Sequence, residues 1–544
     1  MIRDSLKTAG LPALVLAILV LICIGQCSST PKTLRFDCII ANGLIIDGTG
    51  KPGVRADLGL AGRKIAAIGR LDRSRAGRVI DARGLVVAPG FIDIHTHCDR
   101  GILDFPLAEN FIRQGVTTVI GGNCGRHPYP VRDFFRRAEE RGICPNWGLF
   151  VGHNTVREKI MGSKNAPPTA EEMRLMKALV EEEMMSGAWG LSTGLSYRPG
   201  MYADTEEVID LAGAAGRLGG IYATHLRSYD LGITDAIHEA VRVGRNNRMP
   251  VQISHIKLAD EAVWGNLGMI TEPLQDARRW GVEVTLDIYP YTAAFMGLTN
   301  SFPPWSYEDG PARFAAKLRN PVLYERIKSS VIDKRFRSAR GVNTLKAIIL
   351  GDCPPYPHYG GLTVEQILVR RGLKPTPEAA AELLIDLEKN GGASAAFVQM
   401  DEADVQALIR RAEVMIASDA GLARPDTGNP HPRACGTFSR VIGRYVKEKR
   451  VLTLEEAIRK MTSLPAGVLK LRDRGGLREG MWADIVIFDP TLVQDTATYQ
   501  NPRQFSPGLI TVLINGEIVL DKGRCTGQKP GRVLYGPAKR GIKS

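Results

Sequence analysis

Phe91-Ile92-Asp93-Ile94-His95-Thr96-His97 is the stretch on which the fold turns. It is a short apolar run that ends on two histidines two positions apart, and strand alternation sends both imidazoles to the same side. Seven further apolar runs follow the same grammar: 116–123, 146–153, 189–196, 220–226, 250–256, 282–289 and 414–419. Helical stretches lie between them, which argues for parallel strands joined by crossover helices. Eight such strands close a (β/α)8 TIM-like barrel, an α/β architecture.

The spacing of the eight strands is regular until the seventh. There, between Tyr289 and Val414, lies an insertion, read as a lid segment from about 293 to 350. On the N-terminal side, Cys38-Ile39-Ile40-Ala41, Asn42-Gly43 and Leu44-Ile45-Ile46 form a hairpin signal. Ile485 to Phe488 and Val512 to Val519 repeat that signal near the other end. The economical arrangement is one small β-sandwich built from residues 33–88 and 475–536, with the barrel (89–474) threaded between them.

In such a barrel the chemistry gathers at the C-terminal ends of the strands. Strand one ends at His95 and His97, and strand two in Gly122-Asn123-Cys124-Gly125. Strand five ends in His225, strand six in His255 and strand eight in Asp419. Each residue alone is weak: an HxH pair is commonly incidental, and a lone buried Cys is usually a small hydrophobe. Six imidazole, thiolate and carboxylate donors at matching ends of one barrel are a zinc-type set. Of the other histidines, His238 and His358 fit no strand end, while His127 and His153 lie near the barrel mouth.

Composition sets the limits. The 544 residues are 44% hydrophobic and 24% charged, as expected for a globular chain, and the net charge is +13. The basic residues are interleaved with acids, as in Arg136-Arg137-Ala138-Glu139-Glu140-Arg141, and the denser basic patches lack stacking aromatics. That pattern argues for solvated faces and against a nucleic-acid partner. Nine cysteines without a CxxC give no disulfide framework.

The first residues differ. Arg3 and Lys7 precede an apolar run from Leu11 to Gly25, too short for a comfortable membrane span. With Ile24-Gly25-Gln26-Cys27 it resembles a bacterial lipoprotein signal, although Gln26 stands where a small residue is usual. The expectation is a signal peptide over 1–27 and an exported protein, periplasmic or membrane-anchored through Cys27. An uncleaved N-terminal anchor is the plainer alternative.

Several of these motifs together resemble the amidohydrolase superfamily, and within it the D-aminoacylases (N-acyl-D-amino-acid deacylases). They are Ala88-Pro89-Gly90-Phe91 to His97, Gly122-Asn123-Cys124-Gly125, Asp287-Ile288-Tyr289-Pro290-Tyr291, and His431-Pro432-Arg433 with Gly436-Thr437-Phe438. Many superfamily relatives bridge two metals with a carboxylated Lys on strand four. Strand four here ends Leu191-Ser192-Thr193-Gly194-Leu195-Ser196-Tyr197, without a Lys, and the resemblance implies that Cys124 on strand two replaces it.

The resemblance implies that Cys124, His225 and His255 hold a tight Zn2+. His95, His97 and Asp419 then line a second position, filled weakly or left empty. A bound zinc lowers the pKa of water to about 7. Asp419 is then the proton shuttle, and Tyr289 the donor to the developing oxyanion, with Tyr291 as its neighbour. The substrate, a small N-acylated amino acid, carries a free carboxylate for Lys257, Arg433 and Tyr197. Hydrolysis of N-acyl-D-amino acids is the first expectation. A cyclic-amide hydrolase of the hydantoinase or dihydroorotase kind, or a non-catalytic barrel, are the alternatives. Two departures from the family pattern stand out. Cys98 follows the HxH pair where Asp is common, and Ala294-Phe295-Met296 is bulkier than usual.

Overall fold

The structure is a computed structural model and describes residues 35–307, 310–338, 340, 343–424 and 428–540. The expected signal segment, 1–27 with Cys27, lies outside them. Among the described residues no helix is long and apolar enough to cross a membrane.

The N-terminal part folds as β1 (Phe36–Ile45), β2 (Val54–Ala61), β3 (Lys64–Gly69), β4 (Ala76–Asp81) and β5 (Val86–Pro89). The chain then enters the barrel with β6 (Phe91–Asp93), β7 (Val116–Gly121), and β8 and β9 (Asn146–Leu149 and Val151–Gly152). There follow β10 (Gly190–Gly194), β11 (Ile221–His225), β12 (Val251–Ile253) and β13 (Val284–Ile288). An insertion carries β14 (Ala293–Gly297), β15 (Ile348–Leu350) and β16 (Ser394–Val398), and β17 (Val414–Ile416) is the last barrel strand. β18 (Ile485–Phe488), β19 (Leu509–Ile514), β20 (Glu517–Asp521) and β21 (Arg524–Cys525) complete the chain.

The barrel strands pair in parallel, as β6-β7-β8 and as β9-β10-β11-β12-β13-β17. Backbone bonds close the two seams between these groups. Phe150 N donates to Gly121 O at 3.0 Å and Trp189 N to Leu149 O at 2.9 Å. Asp419 N donates to His95 O and His97 N to Ala420 O, both at 2.9 Å, joining first strand to last. The eight expected strands therefore all form, the third as the two pieces β8 and β9. Amphipathic helices cover the outside; Ile233–Asn247, for example, buries Ile237, Val241 and Gly244 against the strands. Inside, Ile92, Ile94, Ile120, Ala223, Met415 and Ala417 pack as one apolar cluster.

Both termini build one nine-stranded sheet, in the order β21-β20-β19-β18-β5-β1-β2-β3 with β4 on β1. Alternation along β18 divides its duties. Ile485 and Ile487 enter the core of this β-sandwich domain, whereas Val486 and Phe488 pack against the barrel.

The insertion is longer than the stretch expected from sequence. β14, β15 and β16 form an antiparallel sheet, so the element extends from Ala293 through Val398 rather than to 350. It has its own core, including Phe302, Phe314, Ile327, Leu384 and Phe397. The reason is that β16 lies between β14 and β15; a segment ending at 350 would leave those two strands unpaired.

Candidate metal centre

All six expected donors converge above the barrel interior. His95 Nε2 lies 3.4 Å from Cys124 Sγ and 3.5 Å from Asp419 Oδ1. His97 Nε2 is 3.1 Å from the same Asp419 oxygen. Cys124 Sγ also meets His225 Nδ1 at 3.7 Å and His255 Nε2 at 3.5 Å. These two imidazole nitrogens are 2.9 Å apart. Cys124 thus stands at the middle, in reach of three rings.

The backbone is bent to bring this about. Cys124, His255 and Asp419 all have left-handed conformations, with φ of 52°, 35° and 50°. Such residues cost about 1–3 kcal/mol each and persist only where the surroundings enforce them. Three on one constellation, at the ends of three strands, turn donors inward that a straight strand would leave beside the barrel wall.

Protonation divides the set. Burial would raise the Cys124 thiol, but His95, His225 and His255 outweigh it and hold the group well below its ordinary value, as thiolate. Burial depresses His225, and burial with the charge of Lys257 takes His255 down to about 3. Both imidazoles are therefore neutral, the ligating form. His95 and His97 go the other way: burial disfavours their charge, yet Asp287 and Cys124 raise His95 well above normal, and Asp419 and Cys124 lift His97 to about 9.

A thiolate and two neutral imidazoles fit zinc. Tetrahedral Zn2+ with bonds of about 2.3 Å to sulfur and about 2.0–2.1 Å to nitrogen sets ligand–ligand edges of roughly 3.3–3.5 Å. The two Cys124 edges, 3.7 and 3.5 Å, agree with that, and the His225–His255 edge, at 2.9 Å, has to open by about 0.4 Å to admit the ion.

The remaining expected residues surround this centre. Arg433 Nη1 is 2.9 Å from Asp419 Oδ2, and its guanidinium lies 4.7 Å from the Tyr289 ring. Burial would raise the Asp419 carboxyl; Arg433 and the imidazoles overcome this and keep it ionised. Lys257 Nζ is 2.9 Å from His255 Nδ1 and 4.0 Å from the Tyr229 ring. Burial pushes this amine down to about 7. The Tyr197 ring sits 4.4 Å from that of His225. Burial raises the Tyr289 phenol, so it stays a proton donor. Tyr291 points elsewhere, its hydroxyl donating to Pro432 O at 3.5 Å and its ring under Arg440.

Some functional residues went unnoticed in the sequence. Asp287 approaches His95 Nδ1 at 3.3 Å and accepts from the backbone N–H of His255 at 2.8 Å, so one carboxylate aims the His95 ring and fixes the backbone that carries His255. Ser196 Oγ, 2.8 Å from His225 Nε2, orients a second ring. Asp287 left a signal: a carboxylate in an apolar strand, two residues before Tyr289. Ser196 left none. Cys98 is turned away from the centre. It accepts from Thr96 Oγ1 at 3.1 Å, and burial pushes its thiol up, so it competes for no metal. His127 and His153 are buried against Glu183 and Glu207 and belong to the wall.

The centre opens into a cavity of about 590 Å³, lined by His97, Tyr197, Asp419 and Arg433 and, from the insertion, by Phe295 and Met296. A metal set at the C-terminal mouth of a closed barrel, beside a two-ended β-sandwich, defines a metal-dependent hydrolase of the amidohydrolase type. The chain belongs to the amidohydrolase family, whose model matches residues 78–310 and 373–520. The unmatched stretch falls within the insertion. A D-aminoacylase of Alcaligenes xylosoxydans xylosoxydans is 36% identical over 522 residues, spanning 92% of this chain and 97% of its own. The N-acyl-D-glutamate deacylase of the same organism is 34% identical, with 92% and 96% covered. Among solved structures, the N-acyl-D-glutamate deacylase from Bordetella bronchiseptica, complexed with zinc and a phosphonate inhibitor, superposes with a TM-score of 0.78. It is 33% identical, and the match covers 92% of this chain and all (100%) of the other. A D-hydantoinase, 16% identical with a TM-score of 0.55 and 92% of this chain covered, shares the fold.

Proposed function

We propose that the protein hydrolyses the amide bond of N-acyl-D-amino acids, with zinc, to a carboxylate and a free D-amino acid. The observation that carries this is the Cys124-centred donor set, with no lysine on β10. Relatives carrying the D-amino-acid deacylase names span nearly the whole chain.

Cys124, His225 and His255 would hold the tight zinc; His95, His97 and Asp419 face a second position. Zinc held by Cys124, His225 and His255 would acidify a water and polarise the substrate carbonyl. Asp419 takes the proton from the attacking water and passes it to the amine as the C–N bond breaks. Arg433 and His97 fix the Asp419 carboxylate for that transfer. Tyr289, a buried donor whose hydroxyl lies 4.0 Å from Met400 Sδ, is assigned to the oxygen on which negative charge builds. Lys257, Arg433 and Tyr197 hold the substrate carboxylate, a task for which a planar guanidinium with paired N–H donors is suited.

The decisive experiment is hydrolysis of paired N-acetyl-D- and N-acetyl-L-amino acids by the zinc-loaded protein. D-selective amine release, lost on chelation and restored by zinc, is expected. Turnover of hydantoins or dihydroorotate without N-acetyl-D-amino acid turnover would move the protein to the cyclic-amide class. Hydrolysis of neither, with zinc bound, would support a non-catalytic barrel. The N-terminal reading is part of the same proposal: export, with the mature chain reaching a membrane only through Cys27. Intact-mass analysis of the membrane fraction checks it; a mature chain beginning after Cys27 without acyl mass overturns it.

A further inference from the structure

Beside the catalytic cavity runs a second hollow of about 530 Å³, lined chiefly by Phe105, Pro106, Leu107, Leu422, Ala423 and Phe505. Leu422 borders both spaces. Their floors are also continuous: Ala420 and Ala434, which line the cavity, pack in one cluster with Ala423 and Phe505 of the groove. Small residues thus pave the path between the two, and the ridge across it is one half-buried leucine. The loop is pinned from below, where Asn110 Nδ2 donates to Ala434 O at 2.9 Å and to Gly421 O at 3.3 Å. Phe105 is 38% exposed, and the Arg424 guanidinium lies 5.7 Å from its ring.

The groove leaves the centre on a particular side. It begins at the loops following β6 and β17, the adjoining first and last barrel strands. Of the three residues assigned to the substrate carboxylate, Lys257 and Tyr197 follow β12 and β10 on the opposite arc of the barrel, while Arg433 follows β17 and is paired with Asp419. An N-acyl-amino acid anchored by its carboxylate on that arc, with its amide at the metal centre, directs its acyl group toward Leu422.

We infer that this groove is an acyl-chain subsite, and that the enzyme accepts medium- and long-chain N-acyl-D-amino acids. The inference rests on the deacylase reading above and adds the class of acyl group. Full burial of a methylene favours binding about fourfold. In a groove open on one side, roughly twofold per methylene is expected.

The test is a series of N-acetyl-, N-butanoyl-, N-octanoyl- and N-dodecanoyl-D-amino acids with one amino acid throughout, run on the wild type, Phe105→Asp and Ala423→Phe. In the wild type kcat/KM rises with chain length, and the rise lies mainly in KM. Both variants lower the dodecanoyl-to-acetyl ratio at least tenfold, one by placing a charge in the groove and the other by filling it. A flat or falling wild-type series with N-acetyl turnover intact overturns the acyl subsite. So does a ratio unchanged in the variants. If instead N-acetyl substrates respond to longer amino-acid side chains, and the variants cancel that response, the groove belongs to the side chain. Absence of all hydrolysis, acetyl included, would be a failure of the deacylase reading itself.

Discussion

Asp419 meets three partners with one carboxylate: His97 and His95 on one oxygen and Arg433 on the other. An amide of the same shape keeps most of those contacts and cannot take a proton. Asp419→Asn should therefore lower kcat by about 10²–10⁴-fold, while zinc content, measured by atomic emission, stays near wild type. Cys124→Ala should instead lose the tight zinc, because two neutral imidazoles remain where three donors stood. Equal zinc in both variants would separate Cys124 from the metal. At this scale the sequence was informative where chemistry is concentrated. HxH, a Cys in a Gly-rich turn, and His or Asp at strand ends are rare types at counted positions. Ser196 and the separation of Tyr289 from Tyr291 were not legible. The first is an ordinary residue, and the second depends on β13 ending at Ile288, before Pro290 redirects the chain.

The insertion is the element where reading and structure diverge. Barrel strands announce themselves by repeated spacing, whereas β14, β15 and β16 are separated by helices of unequal length and have no period to count. Its core has a testable weakness. Glu388 is buried, with Tyr307 OH donating to it at 2.7 Å and Thr299 Oγ1 at 3.1 Å. Among the described residues, its second oxygen has no hydrogen-bond partner. Burial raises its pKa despite those bonds. A carboxyl with a raised folded-state pKa favours the fold most below its unfolded value, about 4.3. That contribution is lost as pH climbs through the folded pKa. Glu388→Gln keeps the acceptor and removes the charge. It should raise Tm by about 2 °C at pH 8 and leave it unchanged at pH 4, by scanning calorimetry. A gain of the same size at both pH values would exclude the charge as the cause.

Across the whole molecule, the barrel and the sandwich are held together on the side away from the metal. Asn146 opens β8, and its side chain donates to Asp484 Oδ2 at 3.1 Å while accepting from Asn515 Nδ2 at 2.8 Å. Arg474 pairs with Asp484 and donates to Asn515 Oδ1 at 3.0 Å. Asp484 Oδ1 accepts from Asn515 N at 2.7 Å. All four side chains are buried, and they join a barrel strand to the strands and turn of the C-terminal β segment. The two-ended sandwich was legible in the matching hairpin signals, but this joint was not, since no local pattern distinguishes a buried Asn–Asp–Arg contact from loop polarity. Its energetics follow from burial. Removing Asp484 leaves the Arg474 guanidinium buried without a counter-charge, which costs about 3–5 kcal/mol. Because the loss falls on the joint, Asp484→Ala should split thermal unfolding into two calorimetric steps, the sandwich melting first. Asp484→Asn, which keeps an acceptor, should lower Tm less. The metal centre lies at the far end of the strands, so zinc binding at 25 °C should be unaffected in both. A single transition at the wild-type temperature would mean that the remaining contacts, among them the apolar packing of Val86, Val486, Phe488 and Val512 against the barrel, hold the two parts as one cooperative unit without this joint.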